Sequence, residues 1–276
     1  MSSHADPTGI DLCFLRPYDA GRLVRVGRDE DGGYVVPAAA VEGARVLLGI
    51  GINDDWSFEE DFAVKNPGVR VVGVDGTAGL PMLYRKALGR ALQGIGKGLT
   101  LQLGKAAGKF RYWGKIAKFR EFFGKHAFLK LMLRARPEAG GVTIAELIER
   151  YGGEGDGVDV FLKMDIEGGE YDVLRAAGRE MGRVNCLTVE FHDLDRRWEA
   201  LKEIAAKLEG DFLVAHVHGN NYAPLIAATK VPSVLEVTWL RRSLVRGAAP
   251  CEGPWPLKGL DRPCKPGAED YVLDFG

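Results

Sequence analysis

Short apolar runs alternate with helix-like segments along this chain, and this alternation limits its fold more than any other feature. The apolar runs are ARVLLGI (44–50), VRVVGVD (69–75), VDVFLKMD (158–165), CLTVEF (186–191), FLVAHVH (212–218) and SVLEVTW (233–239). Amphipathic segments such as TIAELIERYG (143–152) and RRWEALKEIAAKLEG (196–210) lie between them. Continuous Val- and Leu-rich strands indicate a mostly parallel sheet with helices on both faces. GLDRPCKPGAEDYVLDF (259–275) is predicted to return as a last strand.

One domain is the simplest organisation for this chain. Its 276 residues, 46% of them hydrophobic, can bury a substantial core. We predict a single unit over 1–276, with an N-terminal cap segment (1–43) and a basic insert (96–136). The four cysteines form no CxxC pair, which favours a reduced, cytoplasmic protein, although Cys251 and Cys264 could pair. We predict neither a membrane span nor a signal peptide, because no run of 18 apolar residues and no basic-then-apolar leader occurs.

The turn after the first strand suggests a cofactor site, because ligands of such sheets bind beyond the carboxyl ends of the strands. Gly49 and Gly51 would let the backbone approach a ligand, and Asn53 and Asp54 follow them. Acidic residues are a poor cradle for pyrophosphate, which disfavours NAD and favours a cationic ligand such as S-adenosylmethionine. Asp75, at the end of the second strand, can accept hydrogen bonds from ribose hydroxyls. Taken alone, the Gly49–Gly51 pair is equally well explained as an accidental GxG, and Asp75 as a helix cap.

Titratable side chains gather near the ends of the later strands. Alternation places Lys163 and Asp165 on one side of their strand, and Glu190 and His192 on one side of the next. A lysine in a buried strand needs a carboxylate partner, which here is Asp165 or Glu190. We therefore predict that these strand ends share one cleft.

Two chemistries suit that cleft. His192 can take a proton from a substrate hydroxyl as general base. Alternatively, Asp165, Glu190 and His218 can hold a divalent metal, Mg or Mn, that activates the hydroxyl. The competing interpretation pairs Glu190 with Lys163 and treats the histidines as structural. Further candidates for substrate binding are His218, Asn220, Asn221 and Tyr34.

Six motifs together resemble the FkbM-type methyltransferases. They are DGGYVVP (31–37), GIGINDDWSFE (49–59), GVDGT (73–77), LKMDIEGGEYDVL (162–174), VEFHD (189–193) and HGNNY (218–222). The resemblance runs from about residue 25 to the C-terminus. It implies a Rossmann-like class I fold with a mostly parallel seven-stranded sheet, S-adenosylmethionine as cofactor and, typically, O-methylation of a sugar or natural product.

By motif, the resemblance assigns Gly49, Gly51 and Asp75 to the cofactor site. Asp165 matches the acidic residue that ends the fourth strand, which in metal-dependent O-methyltransferases is a metal ligand. The chain departs from the general pattern in two respects. Leu48 replaces an acidic residue, and a third glycine is absent. Asn53, Asp54 or Asp165 is then expected at the methionine end of the cofactor.

Residues 97–136 are strongly basic, with eleven Lys or Arg and one Glu. Interleaved aromatic residues are Phe110, Tyr112, Trp113, Phe119, Phe122 and Phe123. One interpretation is a helical lid whose aromatic side chains pack on the sheet. Others are recognition of an anionic glycan or sugar phosphate, and contact with a membrane or nucleic acid.

The leading hypothesis is an S-adenosylmethionine-dependent O-methyltransferase with His192 as base, a metal at Asp165, Glu190 and His218, or both. The expected partner is a small-molecule or glycan acceptor, which could be anionic. Peripheral membrane contact through 97–136 is a further option, and we do not expect nucleic acid as substrate. One alternative is a metal-dependent hydrolase that uses the same cluster. Another is a non-catalytic module that binds anionic polymers through 97–136.

Overall fold

A seven-stranded sheet forms the centre of the protein. The computed structural model describes residues 10–95, 103–153, 155 and 157–276, and side chains for these except 90–95 and 103–112. The strands are β1 (Leu23–Val26), β2 (Tyr34–Pro37), β3 (Val46–Ile50), β4 (Arg70–Val74), β5 (Ala127–Leu129), β6 (Met132–Leu133), β7 (Gly141–Val142), β8 (Val160–Met164), β9 (Val184–Phe191), β10 (Phe212–Gly219) and β11 (Leu235–Arg241).

The strand order of the sheet is β10-β11-β9-β8-β3-β4-β5. The strands from β9 to β5 run parallel, whereas β11 is antiparallel to both of its neighbours. All six predicted apolar runs form strands, and every residue of β3, β8 and β9 is buried because helices cover both faces. The predicted Rossmann-like, mostly parallel seven-stranded sheet is confirmed.

Helices flank the sheet as the amphipathic patterns predict. They are α1 (Ala38–Gly43), α2 (Ser57–Lys65), α3 (Leu80–Ile95), α4 (Leu103–Phe123), α5 (Ile144–Tyr151), α6 (Glu170–Ala176) and α7 (Leu194–Leu208). Helix α5 begins with a capping box, in which Thr143 Oγ1 accepts from the N–H of Glu146 and the Glu146 carboxylate accepts from the N–H of Thr143. A separate 3-10 turn, Arg179–Arg183, follows helix α6.

The described part of the basic insert forms α4 and packs through aromatic side chains. Phe119 is buried and meets the ring of Trp56 edge-on at 5.3 Å. Phe122 and Phe123 pack against the same cluster, whereas Trp113 stays half exposed beside Tyr84. These contacts agree with the packed-helix interpretation for the C-terminal half of α4. Residues 96–102 lie outside the described residues, as do the side chains of Phe110 and Tyr112.

The predicted C-terminal strand is wrong. An isolated bridge pairs Trp255 with Leu273, but the backbone of 259–275 is otherwise irregular. Pro263 and Pro266 remove hydrogen-bond donors that a sheet strand needs. The seventh strand is instead β5, at the opposite edge of the sheet.

Cys13, Cys186, Cys251 and Cys264 are all free thiols, so Cys251 and Cys264 do not pair. Among the helices that the structure describes, none is long and apolar enough to cross a membrane.

Candidate functional site

The carboxyl ends of β8 and β9 bring the predicted catalytic residues together. Asp165 directly follows β8, Glu190 lies near the end of β9, and His192 follows that strand. The three side chains share one cleft of ≈ 390 Å³. Its lining comprises Asp31, Asp165, Glu167, Glu190, His192, Asn220, Tyr222, Ala223 and Val234.

The turn between β8 and α6 is organised by Glu170. This fully buried carboxylate accepts hydrogen bonds from the backbone N–H groups of Ile166 and Gly168, both at 3.1 Å. The same oxygen accepts from His192 Nδ1, also at 3.1 Å. Glu167 adopts a left-handed backbone conformation with φ +57°, which is strained for a residue with a side chain. Glu170 therefore fixes the turn and the imidazole ring together.

The other ring nitrogen of His192 faces three carboxylates. Nε2 lies 3.6 Å from Glu167 and 3.9 Å from both Asp165 and Glu190, which is beyond hydrogen-bonding distance. Burial alone would lower the pKa of His192. The hydrogen bond to Glu170 and the charges of Glu190 and Asp165 outweigh burial and raise this pKa to about 9. The imidazole is therefore largely protonated at neutral pH, and Nε2, which faces the cleft, must lose its proton before it can accept another.

Glu190 is buried and held by two donors. The Tyr34 hydroxyl donates to one carboxylate oxygen at 3.1 Å, and Asn220 Nδ2 donates to the other at 2.8 Å. Burial, together with the charges of Asp165 and Glu236, raises the pKa of Glu190 to about 8. Tyr34 and Asn220, both predicted to bind substrate, are thus placed as supports of Glu190.

Lys163 lies beneath the cleft and is buried, as its strand position predicts. Its Nζ is 3.3 Å from the carbonyl oxygen of Gly51 and 3.8 Å from an Asp165 oxygen. Burial lowers the pKa of Lys163, but the charges of Asp165, Glu59 and Glu190 outweigh burial and hold it above its ordinary value. The lysine remains a cation that neutralises part of the acidic cluster.

The space beside each predicted cofactor glycine is occupied by other atoms of the same chain. A side chain on Gly51, whose φ is +81°, would overlap the backbone carbonyl of Asp165. A side chain on Gly49 would overlap the Glu59 carboxylate, which reaches back from α2. The glycines therefore allow β3, β8 and α2 to pack closely, rather than leaving open space for a ligand.

The remaining cofactor candidates are extensively hydrogen-bonded. Asp75 accepts from the N–H of Asn53 at 2.8 Å and from the N–H groups of Thr77 and Ala78 at 2.7 and 2.8 Å. Burial raises the pKa of Asp75, but these hydrogen bonds outweigh burial and hold it below its usual value. Asp54 lies 3.2 Å from Lys86 and 3.6 Å from Lys115, on α3 and α4. Asp54 therefore joins the helices to the turn.

His218 does not join Asp165 and Glu190, so the predicted metal triad is wrong. Strand β11 lies between β9 and β10, and its Glu236 stands between Glu190 and His218. The two ring nitrogens of His218 lie 3.0 Å from carboxylate oxygens of Glu236 and Asp270. The predicted triad requires β10 directly beside β9, and the chain order does not show that β11 is inserted between them.

Asn221 is also placed away from the cleft. Its side chain donates to the carbonyl oxygen of Glu269 and accepts from the N–H of Lys265. It therefore attaches the C-terminal segment to β10. The His216 side chain makes a similar attachment through Asp261, at 3.1 Å.

Four acidic residues of the site are not among the residues that the sequence predicts. Asp31, Glu167, Glu170 and Glu236 all belong to the cleft or directly adjoin it. Burial and the charges of Glu236, Asp165 and Asp55 raise the pKa of Asp31 to about 6. Glu236 could have been noticed as a lone charge in an apolar strand. Nothing in the sequence marks the contact of Glu170 with His192, because it depends on how the turn folds.

Comparisons with solved structures find distant likenesses. A fibrillarin/Nop5p complex shares 10% identity over 72% of this chain and 73% of that chain, with a TM-score of 0.37. A precorrin-6y C5,15-methyltransferase from Geobacter metallireducens shares 12% over 74% and 83%, with a TM-score of 0.36. The 23S rRNA methyltransferase ErmE shares 9% over 76% and 69%, with a TM-score of 0.37. No curated protein matches the chain.

A family comparison is more informative. Residues 90–221 match the sequence model of the methyltransferase FkbM domain. The matched range contains β8, β9 and the turn between them, and it begins after β3 and β4. The match is consistent with an FkbM-type methyltransferase, a family that implies S-adenosylmethionine as the methyl donor.

Proposed function

We propose that the protein transfers a methyl group from S-adenosylmethionine to a hydroxyl of a sugar or natural product bound in the cleft. The observation that carries this proposal is the environment of His192. Its Nδ1 is hydrogen-bonded to a fully buried carboxylate, while its Nε2 lines an open cleft without a hydrogen bond to a described residue. This is the arrangement that a general base requires.

The residues of the cofactor side fit S-adenosylmethionine by their chemistry. Asp75 is held ionised at the end of β4, where a carboxylate can accept hydrogen bonds from hydroxyl groups. Asp165 follows β8, which lies between β9 and β4 in the strand order, and its carboxylate is 3.9 Å from His192 Nε2. The cofactor supplies an electrophilic methyl group on a sulfonium cation, and carboxylates favour a cation electrostatically.

His192 would accept the proton of the acceptor hydroxyl at Nε2. Glu170 would keep the ring oriented, because its carboxylate accepts from Nδ1 and is itself anchored by two backbone N–H groups. The imidazolium that forms is stabilised by the carboxylates of Asp165, Glu167 and Glu190 around it. Alignment of the hydroxyl with the methyl group supplies the rest of the rate enhancement.

A divalent metal is a second way to activate the hydroxyl. The ligand set that we propose differs from the one predicted from the sequence, because His218 is hydrogen-bonded to Glu236 and Asp270. Asp165, Glu167 and His192 instead offer ligand atoms that all lie within 4.8 Å of one another. Oxygen and imidazole ligands of this kind suit Mg²⁺ or Mn²⁺. We expect dialysis against a chelator to abolish methyl transfer if a metal is required, and to leave it unchanged if His192 acts alone.

Calorimetry with S-adenosylmethionine tests the proposal. We expect saturable binding by the wild type and a loss of affinity of about tenfold in Asp75→Asn, because the variant loses a charge-assisted hydrogen bond. Asp195→Asn, an exposed carboxylate change on α7, is the matched control and should bind normally. An absence of binding at millimolar cofactor would refute the proposed function.

A further inference from the structure

The cleft is lined by acids and lacks a fixed basic side chain. Four carboxylates line it, and no lysine or arginine is among its described lining residues. Its one cationic lining group is His192. Lys163 lies below the lining and is directed to Asp165 and the Gly51 carbonyl. An anionic acceptor would therefore meet like charge, which disfavours the phosphate or uronate that the basic insert suggests.

Two of these carboxylates, Glu167 and Asp31, are exposed at the mouth of the cleft, and each has an oxygen within 4.8 Å of one of the less exposed acids, Asp165 and Glu190 respectively. The Glu167 side chain is 81% exposed, and Asp31 is also exposed. Asp31 makes no ion pair with another described residue, although burial and, to a smaller extent, the carboxylates beside it raise its pKa. The left-handed backbone at Glu167 turns this carboxylate towards His192, 3.6 Å away. A cation entering the cleft would relieve the repulsion between these acids.

An aromatic ring completes the mouth. Tyr222 lines the cleft and is 58% exposed. Its backbone is fixed by a hydrogen bond from its N–H to Asn220 Oδ1 at 2.9 Å. An exposed ring can stack on the apolar face of a sugar and attracts a cation above it. Carboxylates and a tyrosine ring together form a suitable surface for a ligand that carries both hydroxyls and an ammonium group.

We infer that the methyl acceptor is an amino sugar or a similar polyhydroxylated amine, and that Glu167 and Asp31 select it through its ammonium group. This inference rests on the proposed function, which it refines. The sulfonium of S-adenosylmethionine also favours acidic surroundings, and in the proposed function Asp165 is the carboxylate assigned to it. Glu167 and Asp31 are therefore the groups left for the acceptor.

Three glycosides test the inference, two of which each differ from the third, methyl glucoside, in a single substituent. Methyl glucosaminide, methyl glucoside and methyl glucuronide share a ring but carry a positive, zero or negative charge. With S-adenosylhomocysteine present, we expect the glucosaminide to bind about tenfold more tightly than the glucoside in calorimetry. We expect the glucuronide to bind most weakly, and the preference to shrink as salt is added. Equal affinities, a preference for the glucuronide or no binding of the glucosaminide would overturn the inference.

Charge-neutral variants assign the selectivity to residues. Glu167→Gln and Asp31→Asn should each reduce the preference for the amine severalfold, while S-adenosylhomocysteine binds as in the wild type. Glu149→Gln removes an exposed carboxylate of α5 that does not line the cleft, and it should retain the full preference. An unchanged preference in both mouth variants would overturn the assignment. Failure of the proposed function would appear differently, as amine-selective binding without methyl transfer to any of the glycosides.

Discussion

The carboxylates differ in their hydrogen bonding and ion pairing between the two halves of the sheet edge at which we expect ligands to bind. At the ends of β3 and β4, Asp75 and Asp54 are satisfied by backbone N–H groups and lysines of the same chain. At the ends of β8 and β9, the carboxylates around His192 Nε2 remain 3.6 to 3.9 Å away from it. In the first half, the carboxylates are bound by groups of the same chain. In the second half, the carboxylates around His192 Nε2 face an open cleft.

This difference separates groups that shape the site from groups available for reaction. Buried polar atoms that find partners stabilise the fold and favour a single conformation. Crowded titratable groups without such partners shift their pKa values, which is typical of sites that move protons. Apart from Asp75, which we propose to contact the cofactor as well, changes on the β3–β4 side should therefore act on stability, and changes on the β8–β9 side on rate.

The largest effect is expected for His192→Ala. Without the base, methyl transfer to the preferred glycoside should fall by about 10² to 10⁴-fold, while the affinity for S-adenosylhomocysteine stays the same. Initial rates with radiolabelled S-adenosylmethionine give the first value, and calorimetry gives the second. His126→Ala changes a histidine that stacks on Phe122, and it is the control. A rate within about threefold of the wild type would remove His192 from the chemistry.

On the other half, Gly51→Ala should act on folding. The new methyl group would overlap the Asp165 carbonyl, and the residue would keep a positive φ. We expect the free energy of unfolding to fall by about 3 kcal/mol or more in urea denaturation. Gly43→Ala, at the end of α1 with open space around it, should change it by less than about 1 kcal/mol. Equal stabilities of the two variants would contradict the close packing of β3 on β8.

A third variant, Glu59→Gln, tests the acid beneath Gly49. Burial raises the pKa of Glu59 to about 7, although Lys163 opposes this. Because the folded state holds the proton more tightly than the unfolded state, Glu59 costs stability as pH rises from its unfolded pKa towards 7. Across that pH window, the free energy of unfolding of the variant should increase relative to that of the wild type, by about 3 kcal/mol at the upper end.

Thermal and urea denaturation between pH 4 and 8 would measure that gain. Glu149→Gln, on the surface of α5, should show a constant difference from the wild type at every pH. Parallel stability curves for Glu59→Gln and the wild type would show that this carboxylate is not desolvated in the folded protein.

The smallest of the four effects is expected for Glu170→Gln. The amide oxygen can still accept from the Ile166 and Gly168 N–H groups, but the negative charge beside His192 is lost. We expect about a tenfold lower rate. In the wild type the rate should rise with pH to a midpoint between 6.5 and about 9, because His192 must lose a proton before it can accept one. In Glu170→Gln that midpoint should move down.

The pH–rate profile distinguishes positioning from a general loss of structure. A lower rate with an unchanged midpoint would mean that Glu170 only supports the turn. His192 would then owe its raised pKa to Glu190 and Asp165 instead.

The sequence predicts those parts of the molecule that depend on local pattern. Six strands follow from continuous apolar runs, and the side-by-side placement of Asp165, Glu190 and His192 follows from alternation along parallel strands. Strand β5 was missed because it has only three half-buried residues after the basic insert.

The errors concern long-range arrangement. The insertion of β11 beside β9 separates His218 from Glu190, and no local pattern announces that order. The C-terminal segment was predicted as a strand from its final apolar residues, yet side chains attach it to β10. Glu170 belongs to the site through a turn whose conformation depends on Gly168 and on burial, both of which are tertiary features.

One carboxylate oxygen of Glu170 is bonded both to the turn that carries Glu167 and to the ring of His192. The turn and the imidazole ring are therefore held together through this one oxygen. A molecule that displaces the turn when it binds must therefore also move the imidazole. The position of the acceptor at the mouth of the cleft thus affects the orientation of His192 Nε2, the atom that removes its proton.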